Sequence, residues 1–233
     1  MARHLTSRES RANVATVDWR DRAPLSGVVF VVLAVAGNAL QGSTPALHGE
    51  ADAVADFYND KETAIAIGMM LSHISVFFLA WFVADLRRHL RLSEGADGWI
   101  SPLAAAGGVA TVTLLAAGFA LNSAGALRAR ESGIAPDVAA VFYDSSLALT
   151  GLAASVAMAV LLAATAVITL QFGALPRWFG WVSGGLAALG IVTPVSFVLS
   201  LLFPLWVGVT AVLLVRRSPD SVGHGEVISP TAS

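Results

Sequence analysis

The chain has no cysteine among its 233 residues, so disulfide bonds, thiolate metal sites and thiol catalysis are excluded. Charged residues are scarce, at 13% of the chain, and a formal net charge of −2 offers no basic surface for a nucleic-acid partner. The chain also lacks a His-Glu-x-x-His zinc motif, a Gly-x-Ser-x-Gly elbow, a Walker loop and a dinucleotide fingerprint. We therefore predict no metal, no cofactor and no catalytic residue. These absences favour a protein that is not an enzyme, without excluding one.

What the chain has in abundance is apolar sequence. Hydrophobic residues make up 56% of it and its mean hydropathy is +0.72, which is more than the surface of a soluble domain of this size can accommodate. Continuous apolar runs predict an all-α integral membrane bundle in which the lipid bilayer is the main partner. The six predicted transmembrane helices are 24–41, 63–84, 100–121, 146–170, 178–193 and 195–215. The last two divide one long apolar block at Thr193-Pro194, because proline disfavours helix at the residue before it.

The distribution of basic residues predicts the orientation of this bundle. With the N-terminus inside, eleven arginines flank the cytoplasmic helix ends, against Lys61, Arg128 and Arg130 on the outside. We therefore predict a multi-pass protein of a bacterial inner membrane with both termini in the cytoplasm. The polar segments 1–23 and 218–233 are predicted to be disordered, leaving 24–217 as the six-helix transmembrane domain.

Two stretches of the chain resemble each other and predict a parallel repeat of helical hairpins. The segment 37–42 at the end of span 1 matches 118–123 at the end of span 3, and 52–58 before span 2 matches 137–143 before span 4. Spans 1–2 and 3–4 would then be two copies of one hairpin, with spans 5–6 as a third. Each matching loop is expected to hold a short helix, capped by Asp52 or Asp137 and anchored at the headgroups by Phe57-Tyr58 or Phe142-Tyr143.

Six polar residues are candidates for a ligand site in the outer half of the bundle. His73 lies about ten residues into span 2, and intramembrane histidines are often functional, although a neutral histidine can also bond a neighbouring helix. The others gather near the outer helix ends, where they line a cavity or merely close the helices. They are Asn38, Gln41, Asn122, Tyr58 and Tyr143.

Small residues recur at every fourth position of span 5, namely Gly180, Gly184 and Ala188. Such a stripe lets two helices approach closely. Packing within one chain is the default interpretation, and association into a homo-oligomer is the alternative.

A further set of residues carries a resemblance to a known group of proteins. The set consists of Trp81-Phe82, Leu86, Leu90, Glu94-Gly95, Gly107-Gly108, Leu175-Pro176-Arg177-Trp178 and Gly180-Trp181. In these positions the chain resembles a group of six-span actinobacterial membrane proteins of unassigned function, over residues 24–217. The resemblance implies the six-span layout and supplies no substrate, cofactor or active residue.

Three functional hypotheses follow from the sequence. The first is a membrane protein that binds or passes a small or lipidic molecule from the outer face. The second is a structural or accessory subunit that acts through helix packing. The third, an enzyme embedded in the membrane, depends on His73 alone.

Overall fold

The computed structural model describes residues 23–45, 49–95, 98–192 and 196–217, apart from the side chains of residues 196, 197 and 217. Within these ranges the chain is helical and contains no strand, which confirms the all-α prediction. The helices are α1 (Leu25–Gln41), α2 (Ala51–Glu94), α3 (Ile100–Ser132), α4 (Pro136–Leu147), α5 (Ala154–Phe172), α6 (Arg177–Ile191) and α7 (Ser196–Arg217), and a π-helical stretch (Ala148–Ala153) joins α4 to α5. The segments predicted to be disordered, and Thr193-Pro194, lie outside the described residues, except for Ala23.

Helix α2 unites two elements that the sequence predicted separately. The short helix expected in the first outer loop runs into the second span, and only Lys61, with φ −122° and ψ 19°, departs from helical geometry between them. Beyond this kink α2 continues to Glu94, ten residues past the predicted end of span 2. The predicted caps are wrong, because no side chain caps α2 or α4, and their N-cap positions are Glu50 and Ala135.

Helix α3 is longer than predicted. It extends eleven residues past the expected end at 121 and stops only where Gly133 takes a positive φ of 72°. Its 33 residues correspond to a length of about 50 Å, well beyond the ~30 Å hydrocarbon thickness of a bilayer. Arg128 and Arg130 therefore lie on a helix rather than in a loop.

Helices α4 and α5 form one continuous rod through the π-helical stretch. A π-turn leaves carbonyls without their usual i→i+4 partners. In this stretch, serine hydroxyls donate hydrogen bonds to two of the carbonyls. Ser200 of α7 donates to the carbonyl of Thr150 at 3.1 Å, and Ser155 donates to the carbonyl of Gly151. The hydroxyls of Ser155 and Ser200 lie 3.2 Å apart, so the π-helical stretch is also where α7 is attached to α5.

The length and composition of the helices indicate a membrane-embedded bundle. Within the described part of the chain, four stretches are long and apolar enough to cross a bilayer: Ala51–Glu94, Ile100–Ser132, Pro136–Phe172 and Val198–Arg216. Helix α1 is apolar but shorter. Large apolar side chains also lie on the outside of the bundle, such as Val32, Phe77 and Trp81, each about 60% exposed. An apolar exterior of this kind suits lipid rather than water.

The buried apolar residues form two groups, which we call the membrane core and the outer cluster. The membrane core contains buried side chains from six helices, namely α1, α2, α3, α5, α6 and α7. Helices approach closely within it: a Cβ added to Gly107 of α3 would lie 2.7 Å from the backbone nitrogen of Leu161 in α5. In the membrane core, the indole ring of Trp206 stacks on the rings of Phe179 and Phe203. Its Nε1 donates to the hydroxyl of Ser183 at 2.9 Å.

Candidate functional site

The outer cluster contains both tyrosines of the chain and lies where α2, α3 and α4 meet. Tyr58 is fully buried, and its hydroxyl donates to the side-chain oxygen of Asn122 at 2.7 Å. Tyr143, 3% exposed, donates to the backbone carbonyl of Pro45 at 2.7 Å. The rings of Tyr58, Tyr143 and Phe57 meet edge to face, at centroid distances of 5.7 to 6.4 Å. The predicted role of these aromatic rings as headgroup anchors is therefore wrong for Phe57, Tyr58 and Tyr143.

Two further contacts hold the outer cluster together. The side-chain oxygen of Asn59 accepts a hydrogen bond from the backbone nitrogen of Ile134 at 3.2 Å, which fixes the turn between α3 and α4 against α2. Gly125 of α3 faces the Tyr58 ring so closely that an added Cβ would lie 2.8 Å from it. Only a glycine leaves room for the phenol, so the sequence of α3 is fitted to Tyr58.

The other predicted site residues bond their own helices. Gln41 is buried over Gly68 and donates to the carbonyl of Gly37 at 3.1 Å. Asn38 is exposed and donates to the carbonyl of Ala34 at 2.8 Å. The Nδ1 of His73 lies 2.8 Å from the carbonyl of Met69, and its partly buried ring meets Phe119 edge to face. Of the six predicted residues, hydrogen bonds and ring contacts thus bring together Tyr58, Tyr143 and Asn122.

An open cavity of about 300 Å³ lies beside the outer cluster, between the segment after α1 and the first turns of α2. Phe57 and Pro45 line it and also contact Tyr143, and the carboxylates of Asp56 and Asp60 complete one side. Lys61, at the kink of α2, donates to the carbonyl of Ser43 at 3.1 Å and lies 5.4 Å above the Phe57 ring. The cavity therefore carries charges of both signs next to an aromatic ring.

One buried acid was missed by the sequence analysis. The side chain of Asp85 is 4% exposed, and its Oδ2 has no hydrogen-bond partner but lies 3.6 Å from Nδ1 of His89. Because a helix repeats every 3.6 residues, the spacing of Asp85 from the buried Phe82 and Leu79 was the signal that could have found it. Across the described ranges, no group of three or more histidine, aspartate or glutamate side chains could hold a metal ion.

The small-residue stripe of α6 is rotated relative to its prediction. Gly180 packs on Leu170 and Thr169, but Gly184 has only an ordinary 3.7 Å contact with Ala166, and Ala188 is exposed. The buried face runs instead through Phe179, Ser183, Ala187 and Gly190. At Gly190 an added Cβ would collide with Leu199 of α7 and lie 2.9 Å from the carbonyl of Ser155 in α5, so α6 packs closely against both helices there.

The fold defines a helical bundle of the membrane-embedded class. Comparisons with known proteins add no closer relation: no protein-family model, no curated protein and no solved structure matches the chain.

Proposed function

We propose that the protein is a six-span structural or accessory membrane protein that acts through helix packing. The observation that carries this proposal is that polar side chains of the outer cluster form hydrogen bonds to other parts of the protein. Tyr58, Tyr143 and Asn122, which were candidates for a ligand site, are buried and bonded to one another or to the backbone. Each such bond joins segments far apart in sequence, which suits a role in holding helices rather than in receiving a ligand.

The six-span part of the proposal adds α1 and α6 to the four long apolar helices. Helix α6 has 15 residues, a length of about 22 Å, which is short for a span. Its close packing along α5 and against α7 at Gly190 supports its place within the bilayer. The resemblance to six-span actinobacterial proteins supports the same layout and a bacterial inner membrane.

The parallel repeat is also part of the proposal, and the tyrosines support it. Tyr58 of the first hairpin bonds Asn122, ten residues before the end of the second hairpin's first helix. Tyr143, its counterpart in the repeat, bonds the carbonyl of Pro45, just after the first hairpin's first helix. Each hairpin therefore donates a tyrosine hydrogen bond to the other, as two copies related by an axis along the membrane normal would.

Cysteine labelling tests the proposed orientation, in which the outer cluster is extracytoplasmic. Ala53 and Ser93 are both exposed, at the two ends of α2, in a chain without cysteine. An impermeant thiol reagent on intact cells should label Ala53→Cys and spare Ser93→Cys until the cells are permeabilised. Labelling of Ser93→Cys alone would reverse the orientation.

A second copy of the chain is the partner that we propose for this packing function. Gly184, Gly185 and Ala188 form a small-residue surface on α6, and no atom lies within 4 Å of a Cβ added to Gly185. In a bilayer, surfaces of this kind let helices of two chains approach closely.

Oxidation of Ala188→Cys in native membranes should give a disulfide-linked dimer. The matched control is Val156→Cys, a position on α5 that is 56% exposed. A dimer from both variants, or from neither, would contradict a homotypic contact at α6.

The 300 Å³ cavity favours a second candidate function, the binding of a small molecule at the outer face. The two carboxylates of Asp56 and Asp60 outnumber the ammonium group of Lys61, so the lining of the cavity carries net negative charge and suits a small organic amine. A diamine such as putrescine should then raise the melting temperature of the purified protein, and Asp60→Asn should abolish this shift. Asp137→Asn, at the start of α4, is the control. A shift that survives Asp60→Asn would remove the cavity as the binding site.

A further inference from the structure

A second and larger cavity opens on the side of the bundle, at the opposite end from the outer cluster. It has a volume of about 540 Å³ and lies between the beginning of α3 and the end of α5. We call it the lateral groove. Its long sides are apolar, with Leu103 of α3 facing Val167 and Phe172 of α5. These three side chains are 44%, 36% and 45% exposed, so the groove is open along its length.

The position of the lateral groove indicates hydrocarbon as its content. Both helices that form it are long and apolar enough to cross a membrane. An open apolar groove facing lipid leaves its lining atoms without contacts unless a chain of methylene groups fills it. Ala163 is one of its lining residues, and this small side chain leaves width for such a chain. Trp99, 72% exposed, lies at the end of the groove, as indoles at a membrane interface do.

The end of the groove next to Trp99 is polar and carries charges of both signs. The carboxylate of Glu94 is held there by the first amides of α3: Ile100 N donates to Oε1 at 2.6 Å, and Ser101 N donates to Oε2 at 2.8 Å. Arg91 brings a positive charge to the same place, because its guanidinium donates to the carbonyl of Gly98, a lining residue, at 3.4 Å. The amide of Gln171 completes this end.

We propose that the lateral groove binds a phospholipid with an ammonium headgroup, phosphatidylethanolamine. One acyl chain lies between Leu103 and Val167. The ammonium group donates to the carboxylate of Glu94 and the amide oxygen of Gln171, and the phosphate faces Arg91. Paired opposite charges above an apolar groove complement a zwitterionic headgroup on a hydrocarbon chain. An anionic headgroup without an ammonium group would meet Glu94 with like charge.

Native mass spectrometry of the full-length protein, purified in detergent with equal amounts of three lipids, tests this proposal. The lipids are phosphatidylethanolamine, phosphatidylcholine and phosphatidylglycerol with the same acyl chains. We expect one phosphatidylethanolamine per chain to be retained in preference to the others. Leu103→Trp, which fills the groove, should weaken this retention about tenfold, because the acyl chain loses its contacts. Val109→Trp, at a position on α3 that is 60% exposed and outside the groove, is the matched control.

Two further variants test the headgroup contacts. Gln171→Leu and Glu94→Gln should each remove the preference for phosphatidylethanolamine over phosphatidylcholine. Gln171→Leu leaves the first amides of α3 capped by Glu94, so it tests the headgroup contact even if Glu94→Gln proves unstable. Equal retention of all three lipids, a preference for phosphatidylglycerol, or retention that Leu103→Trp leaves unchanged would each overturn the proposal.

Discussion

The outer cluster and the membrane core are both rich in aromatic rings, yet different contacts hold them. In the outer cluster, Tyr58 and Tyr143 meet edge to face, and their hydroxyls bond groups 64 and 98 residues away in sequence. In the membrane core, Trp206 is stacked between two phenylalanines, and helices touch at glycines such as Gly107. The difference fits the proposed orientation, in which the outer cluster lies toward water and the membrane core lies in lipid. In water, burial and hydrogen bonds select one arrangement, whereas lipid offers no hydrophobic driving force and close packing must replace it.

The largest expected effect tests the close packing of the core. Gly107→Ala should lower the free energy of unfolding by about 3 kcal/mol, because the new methyl group would meet the backbone of α5, which cannot turn aside. Unfolding in SDS, followed by circular dichroism, measures this. Gly208→Ala adds the same methyl group in α7, where the nearest atom, of Val31, lies at an ordinary contact distance of 3.5 Å, and it should change little. Similar losses from both variants would contradict this account, because the change from glycine to alanine favours a helix and cannot itself lower stability.

The next effect tests the hydrogen bonds of the outer cluster. Tyr58→Phe should cost about 2 kcal/mol, because the buried side-chain oxygen of Asn122 loses its donor. The same SDS titration applies. The double variant Tyr58→Phe with Asn122→Leu should recover part of the loss, since no polar atom is then left unpaired. A double variant that is less stable than either single one would contradict this account.

A smaller effect is expected at the connection between α2 and α3. Glu94→Gln should cost about 1 kcal/mol, because a neutral amide accepts more weakly from the first amides of α3 and loses the favourable interaction with the helix dipole. The melting temperature in detergent measures the change. Glu131→Gln, in the last turn of α3, is the control, and it should not lower the melting temperature, because a negative charge at this end of a helix is unfavourable. An unchanged melting temperature for both variants would mean that the cap contributes nothing measurable.

The smallest effect makes the comparison between the two regions direct. Ser183→Ala removes the acceptor of the Trp206 indole in the membrane core, as Tyr58→Phe removes the donor to Asn122 in the outer cluster. Hydrogen bonds between membrane helices are worth about 0.6 kcal/mol on average, so the expected loss is about that size. A loss for Ser183→Ala equal to or greater than that for Tyr58→Phe would show that the two regions are held in the same way.

The sequence was sufficient to predict the long apolar helices and insufficient to predict what lies beyond them. Transfer of a helix to lipid depends on composition, which is why helix α1 and the four long helices could be predicted from apolar runs. The extension of α3 to Ser132 could not be predicted in this way. The sequence of α3 from Asn122 onward is polar enough to be typical of a loop, and contacts with α2 and α4 keep it helical. Propensity and hydropathy carry no information on such tertiary partners.

The candidate site shows the same limit. That Tyr58, Tyr143 and Asn122 lie near one another followed from their equivalent places in the repeated segments. Their burial did not follow, because aromatic residues at the ends of spans are usually found at headgroups. The rotation of the α6 stripe could not be predicted either, since a four-residue spacing of small residues does not say which side meets α5.

The π-helical stretch Ala148–Ala153 has a consequence for how the chain tolerates changes in length. A π-turn holds one residue more than an α-turn of the same rise, so the rod from Pro136 to Phe172 contains one residue to spare. Deletion of Leu149 would convert i→i+5 bonds into i→i+4 bonds and leave the faces of α4 and α5 in phase. A one-residue deletion in α3 before Asn122 would turn every following side chain by about 100°. Asn122 would then no longer face the hydroxyl of Tyr58. One-residue deletions should therefore be tolerated in the π-helical stretch and not in α3 before Asn122.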